Sequence, residues 1–138
     1  MMSSNGPAAS GSGETPIGPV LDLEHMADLL DAMGAEAIAE LIGEFKQSIQ
    51  ARLAGVMEAV EAEDVAVLGQ RAHGMISAAS PLGLMELALS AREVERLCFA
   101  KDAPSARHLA RTLPALVERA TRSLADWLSA RSGRPGQS

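Results

Sequence analysis

The sequence predicts an all-α fold: an antiparallel up-down-up-down four-helix bundle with a short extra N-terminal helix. Three observations carry this reading. Of the 138 residues, 47% are hydrophobic and only 2% aromatic, with no Tyr and abundant Ala, Leu, Glu and Met, a composition rich in helix formers and poor in strand formers. Apolar residues recur three and four positions apart through most of the chain, the period of a helix with one buried face. The segments between these stretches are short, which makes consecutive helices antiparallel neighbours. The length suits one domain with its own core.

Asp22 is placed to cap a first short helix, whose apolar residues Leu23, Met26, Leu29 and Leu30 form one stripe before Gly34 ends it. The second helix spans Ala35 to Ala62, with Ile38, Leu41, Ile42, Phe45, Ile49, Leu53, Val56 and Val60 on its apolar face. Asp64 caps a third carrying Val65, Leu68, Ala72, Met75 and Ala79, and the stretch Ser80-Pro81-Leu82-Gly83 stops it. Leu84, Leu87, Ala91, Val94 and Cys98 stripe the fourth. Asp102 and Pro104 restart the chain for a fifth with Leu109, Leu113, Leu116, Ala120, Leu124 and Trp127, which Pro114 kinks or splits because it removes a backbone donor and crowds the preceding turn. The domain accordingly covers residues 21–131. Residues 1–20, dominated by Gly, Ser, Pro and Asn, and residues 132–138 read as flexible tails that bury too little to offset their ordering entropy.

Composition also excludes several functions. The net charge of -6 is spread without a basic stripe, so nucleic acid is not an expected partner. No apolar run is long enough to span a bilayer, and the N-terminus lacks the pattern of a secretory signal, which makes the cytoplasm the expected location. A single cysteine, Cys98, rules out an internal disulfide. Three histidines and one cysteine scattered over different helices have no metal-ligand spacing, and neither a metal nor a cofactor is expected. There is no phosphate-cradling glycine loop and no ATP-binding signature, hence no kinase activity.

His73 is the residue that carries chemistry. On a helical wheel it lies about 110° from the centre of the apolar stripe of its helix, so the imidazole points outward. Ala66, Gly69, Gln70, Ser77 and Ser80 share its side, all small or uncharged. Gly69 and Gly74 in mid-helix each cost up to about 1 kcal/mol relative to Ala, which points to close approach either of another molecule or of another helix. Imidazole is a good phosphoryl acceptor near neutral pH when one ring nitrogen attacks and the other keeps its proton. Glu95, on the flank of the fourth helix, is the expected partner for Nδ1: its carboxylate would fix the tautomer, free Nε2 and orient the ring without itself reacting.

The segment Arg71-Ala72-His73-Gly74-Met75-Ile76-Ser77-Ala78-Ala79-Ser80-Pro81-Leu82-Gly83 resembles the signature of histidine-containing phosphotransfer (HPt) domains of bacterial multistep phosphorelays. That signature is an Ala-His pair, a Lys and a Gly three and four positions after the His, a run of small residues, and a Gly ten after it. Ala72, His73, the small run and Gly83 match, and Leu41, Phe45, Leu53, Asp64 and Glu95 fall where the family keeps its leading helix, its acidic turn and its His-orienting Glu or Gln. The match extends over about Ile38 to Leu97. The family's Lys is Ile76 here and its Gly is Ser77. The resemblance implies a phosphocarrier that takes a phosphoryl group on His73 from the aspartate of a receiver domain and passes it to another receiver, with Mg²⁺ belonging to that partner. Response regulators or a hybrid histidine kinase would be the partners of a monomer. Gln70, Gly74, Ile76 and Ser77 would dock the receiver, with Met26 and Leu30 on the apolar rim. Arg71, Ser77, Arg92 or Arg96 would replace the missing lysine at the phosphate. The departures at Ile76 and Ser77 support an alternative, an HPt-like adaptor that binds signalling proteins without being phosphorylated; a dimeric helical phosphotransferase is a third.

The remaining candidates have plainer readings. His25 reads as a surface residue near the docking end and His108 as structural. The methionines fill apolar patterns. Arg107, Arg111, Arg119, Arg122 and Arg131 alternate with Glu118 and Asp126 as a solvated face whose ion pairs are individually weak.

Overall fold

The computed structural model describes residues 19–132, and the expected tails fall outside it except at Pro19, Val20 and Ser132. It contains α1 (Leu23–Met33), α2 (Ala35–Ala62), α3 (Val65–Ala79), a 3-10 turn (Ser80–Leu82), α4 (Met85–Phe99), α5 (Ala103–Ala110) and α6 (Leu113–Ser132). No strand occurs among the described residues, and no described helix is long and apolar enough to cross a membrane.

The helix starts follow local chemistry. The carboxylates of Asp22, Asp64 and Asp102 accept from the backbone N–H groups of His25, Val67 and Ser105, which supplies partners for donors that a first turn leaves unpaired. The expected last helix is two. Its first part ends at Ala110, and Pro114 occupies the first turn of α6, where no backbone donor is needed. Gly83, at φ 64, makes the left-handed step from the 3-10 turn into α4, and its carbonyl accepts the N–H of Asp22 at 2.8 Å. The start of the described chain is therefore tied to the α3–α4 turn, as it is to α4 itself through the Pro19 carbonyl, which accepts from Glu86 N–H at 3.0 Å.

Helix α3 packs between α2 and α4, while α4 also meets α5 and α6, and α2 meets α1 and α6. The shared interior holds Ile38, Ile49 and Val56 of α2, Leu68, Ala72 and Met75 of α3, Leu87 and Val94 of α4, and Leu113 and Leu124 of α6, all essentially without solvent exposure. Removing a side chain of this size from water stabilises by about 1.5–3 kcal/mol.

Two residues expected on the docking rim belong to this core. Met26 is fully buried on the apolar stripe of α1, whose Leu29 and Leu30 are only partly covered. Ile76 is 6% exposed: it stands one turn after Ala72 and two after Leu68, which extends the apolar stripe of α3 instead of bordering His73.

Candidate functional site

His73 projects from the middle of α3 with its side chain 64% exposed. Its Nδ1 lies 2.9 Å from Oε2 of Glu95, whose side chain is 37% exposed on α4. A carboxylate only accepts, so Nδ1 carries the proton and donates it, which in the neutral ring leaves the lone pair on Nε2. Among the described residues no hydrogen bond engages Nε2. The pairing depends on how closely α3 approaches α4. At Gly69, one turn before His73, an added Cβ would stand 3.3 Å from the Cβ of Cys98. This glycine thus serves helix contact, one of the two explanations its position allowed.

An open groove of about 650 Å³ runs between the two helices, lined by Val65, Ala66, Gly69, Gln70, His73, Glu95, Cys98, Phe99 and Lys101. Cys98 is at its floor, with its thiol pKa pushed up by burial and further by the negative charge of Glu95, so it stays a neutral thiol. Phe99 is 90% exposed at the groove's edge. Lys101, in the left-handed region at φ 65, stands at the same end. Sequence periodicity singled out none of these three as part of the site, because the turn after α4 brings Lys101 back toward the start of α3.

The other expected site residues divide. Gln70 shares the groove with His73. Ser77 is exposed but opens onto a different recess, toward α2, with Ser48, Arg52 and Pro81. Arg71 does not reach the His73 groove: its side chain lies across Gly55 of α2, and two residues along a helix is about 200° of rotation away from the imidazole. Arg92 lines recesses with Glu95 and Phe99 and with His25 and Gly83, outside the groove that holds His73. Arg96 is engaged by Glu93. Arg52 of α2, which no sequence pattern selects, donates from Nη1 to the carbonyl of Gly74 at 3.3 Å.

His25 is not a plain surface residue. Its Nε2 donates to the Pro81 carbonyl at 2.7 Å and so holds α1 against the α3–α4 turn. His108 is exposed on α5. Arg119 also departs from the solvated-face reading, since it forms two hydrogen bonds, of 2.9 and 3.0 Å, with the buried carboxylate of Glu86. The described residues contain no cluster of side chains suited to a metal ion.

Comparison with known proteins adds two findings. The family model for the Hpt domain matches residues 40–123, more than half of the chain and including both His73 and Glu95. The crystal structure of histidine-containing phosphotransfer protein B (HptB) from Pseudomonas aeruginosa PAO1 is similar in fold, with a TM-score of 0.74 and 21% sequence identity over 81% of this chain and 96% of that one. No curated protein matches the sequence significantly.

Proposed function

The chain belongs to the Hpt domain family, and on that premise we propose that it is a phosphocarrier of a two-component phosphorelay, taking a phosphoryl group on His73 from a receiver-domain aspartate and handing it to another receiver. The observation that carries this is the 2.9 Å contact from Nδ1 of His73 to Glu95 on an imidazole that is well exposed. Neutral Nε2 attacks phosphorus; the Nε2–P bond forms as the acyl O–P bond breaks, and the aspartate leaves as carboxylate. The Nδ1 proton stays on the ring, which becomes cationic beside Glu95, so no proton has to be moved during transfer. Mg²⁺ and the phospho-aspartate belong to the receiver, and the chain needs no cofactor of its own.

The docking surface on this reading is the groove from Gln70 past His73, extended toward α2 by Gly74 and Ser77. Docking is weak and transient. Packing of consecutive helices through short connections fits an up-down-up-down bundle closed within one chain, and on this reading the protein is a monomer that works in the cytoplasm. The adaptor reading rests on a specific observation, the burial of Ile76 where the family carries its lysine. Incubation with a phosphorylated receiver and Mg²⁺ separates the two: the carrier acquires acid-labile, base-stable phosphate that is absent in His73→Gln. Phosphate that persists in His73→Gln refutes the assignment, and no phosphate from several receivers favours the adaptor.

A further inference from the structure

A phosphoryl group on Nε2 brings two negative charges to a site whose nearest charged neighbour, Glu95, is itself anionic. The family's lysine position offers nothing to offset them, because Ile76 faces the core. Other cations of α3 and α4 are placed elsewhere: Arg71 lies on Gly55, Arg92 lines recesses outside the His73 groove, and Arg96 is paired with Glu93. Lys101 lines the groove at the far end, beside Val65 and Ala66, about two turns of α3 before His73.

Arg52 is differently situated. It is exposed on α2 and, among the described residues, has no carboxylate partner; one hydrogen bond, at 3.3 Å to the carbonyl of the residue following His73, holds its guanidinium. It shares a recess with Ser77, one turn beyond His73. Gly74 fits this arrangement, because an added Cβ would stand 3.0 Å from Nη1 of Arg52 and displace it. The glycine that helix propensity disfavours at this position thus leaves room for a cation against the backbone of the residue that follows His73.

We propose that Arg52 is the phosphoryl-binding cation of this site, supplied from α2 in place of the family's lysine on α3. The proposal rests on the reading of His73 as the phosphoryl acceptor. A single long hydrogen bond to a carbonyl is readily exchanged for shorter, charge-assisted bonds to phosphoryl oxygens, and the flexible side chain has no carboxylate to leave behind. Gly74 and Arg52 are then one device: the residue without a side chain admits the one that carries the charge.

Potassium phosphoramidate tests this without a cognate receiver. Nε2 attacks the zwitterionic donor, the donor N–P bond breaks, ammonia leaves, and the Nε2–P bond forms with the Nδ1 proton retained. Phosphorus-31 NMR of the full chain then follows both the uptake of phosphate and the pH at which the bound phosphoryl group loses its last proton. A neighbouring guanidinium favours the dianion, so in Arg52→Gln that ionisation moves up by about half a pH unit or more, and phosphorylation slows by roughly tenfold. Arg52→Lys keeps the charge and stays near the wild type in both readouts, whereas a merely structural role would not distinguish Lys from Gln. The proposal is overturned if folded Arg52→Gln takes up phosphate at the wild-type rate with an unchanged ionisation, or if Lys101→Gln shows the shift instead. A wild-type chain that gains no phosphate on His73 sinks the acceptor reading itself, an outcome distinct from either.

Discussion

Two carboxylates of α4, Glu86 and Glu95, stand nine residues apart, which at about 100° per residue turns them to opposite flanks of the helix. Glu86 faces α6, and its side chain is 3% exposed with both oxygens occupied by Arg119. Glu95 faces α3, is 37% exposed and uses one oxygen on one ring nitrogen of His73. Both are hydrogen-bonded ion-pair geometries between neighbouring helices, yet they do different things. Around Glu86 water is excluded, so the pair is coupled to folding. Around Glu95 water reaches both partners, so the pair adds little to stability and its effect falls on the tautomer and orientation of the imidazole.

The contrast is tested first on the buried side, where the largest effect is expected. Arg119→Met leaves the Glu86 carboxylate enclosed without its partner and is expected to destabilise the domain by about 3 kcal/mol in urea unfolding. Glu86→Gln is expected to cost less, about 1–2 kcal/mol, because Arg119 is 49% exposed and regains water when released. Neither changes the rate at which folded protein takes up phosphate from phosphoramidate. A slowed rate in either variant would mean that the two flanks of α4 are not separable.

On the exposed side the loss appears in rate instead. Glu95→Ala removes the acceptor that fixes the His73 ring, and uptake of phosphate is expected to fall by roughly 10- to 100-fold. Its unfolding midpoint stays within about 0.5 kcal/mol of the wild type. Glu95→Gln keeps an acceptor oxygen without the charge and falls between the two. A Glu95→Ala chain that reacts at full rate while unfolding more easily would reverse the roles assigned to the two carboxylates.

The same division explains what the sequence disclosed. Residues whose role is local were legible: Asp22, Asp64 and Asp102 as caps, the bounds of α2, the break at Pro114, and the outward face of His73 all follow from periodicity and turn chemistry within a few residues. The contact of Glu95 with His73 follows from its flank on α4, which the turn that reverses the chain and the family pattern both indicate. Three features needed the third dimension. Ile76 lies at the edge of the apolar stripe, and only the packing of α3 between its neighbours decides which side of that edge is wet. Arg119 reads as one of several surface arginines until α6 is set against the start of α4. Arg52 and Gly74, separated by 22 residues, meet only through the α2–α3 pairing, and neither has a local signal that names the other.

A third carboxylate of α4, Glu93, probes the weakest end of the comparison. Arg96, three residues on, holds it by hydrogen bonds from Nε and Nη2, with both side chains well exposed. The hydrogen bond from Arg96 is the main reason the Glu93 carboxyl lies below its ordinary value of 4.5; slight burial opposes this and the Arg96 charge adds to it. A lowered folded-state value means that the stability gained from the pair is fully present above pH 4.5 and is lost as the pH falls through the lowered value. Solvent screens the pair along its whole length, so Glu93→Gln is expected to unfold at nearly the wild-type urea concentration at pH 7 and to become indistinguishable from it as the solution is acidified below that range. A gap between the two chains that widens on acidification would give the interaction the opposite sign. A large gap at neutral pH would show that exposure alone does not separate the weak pairs of α4 from the one at Glu86.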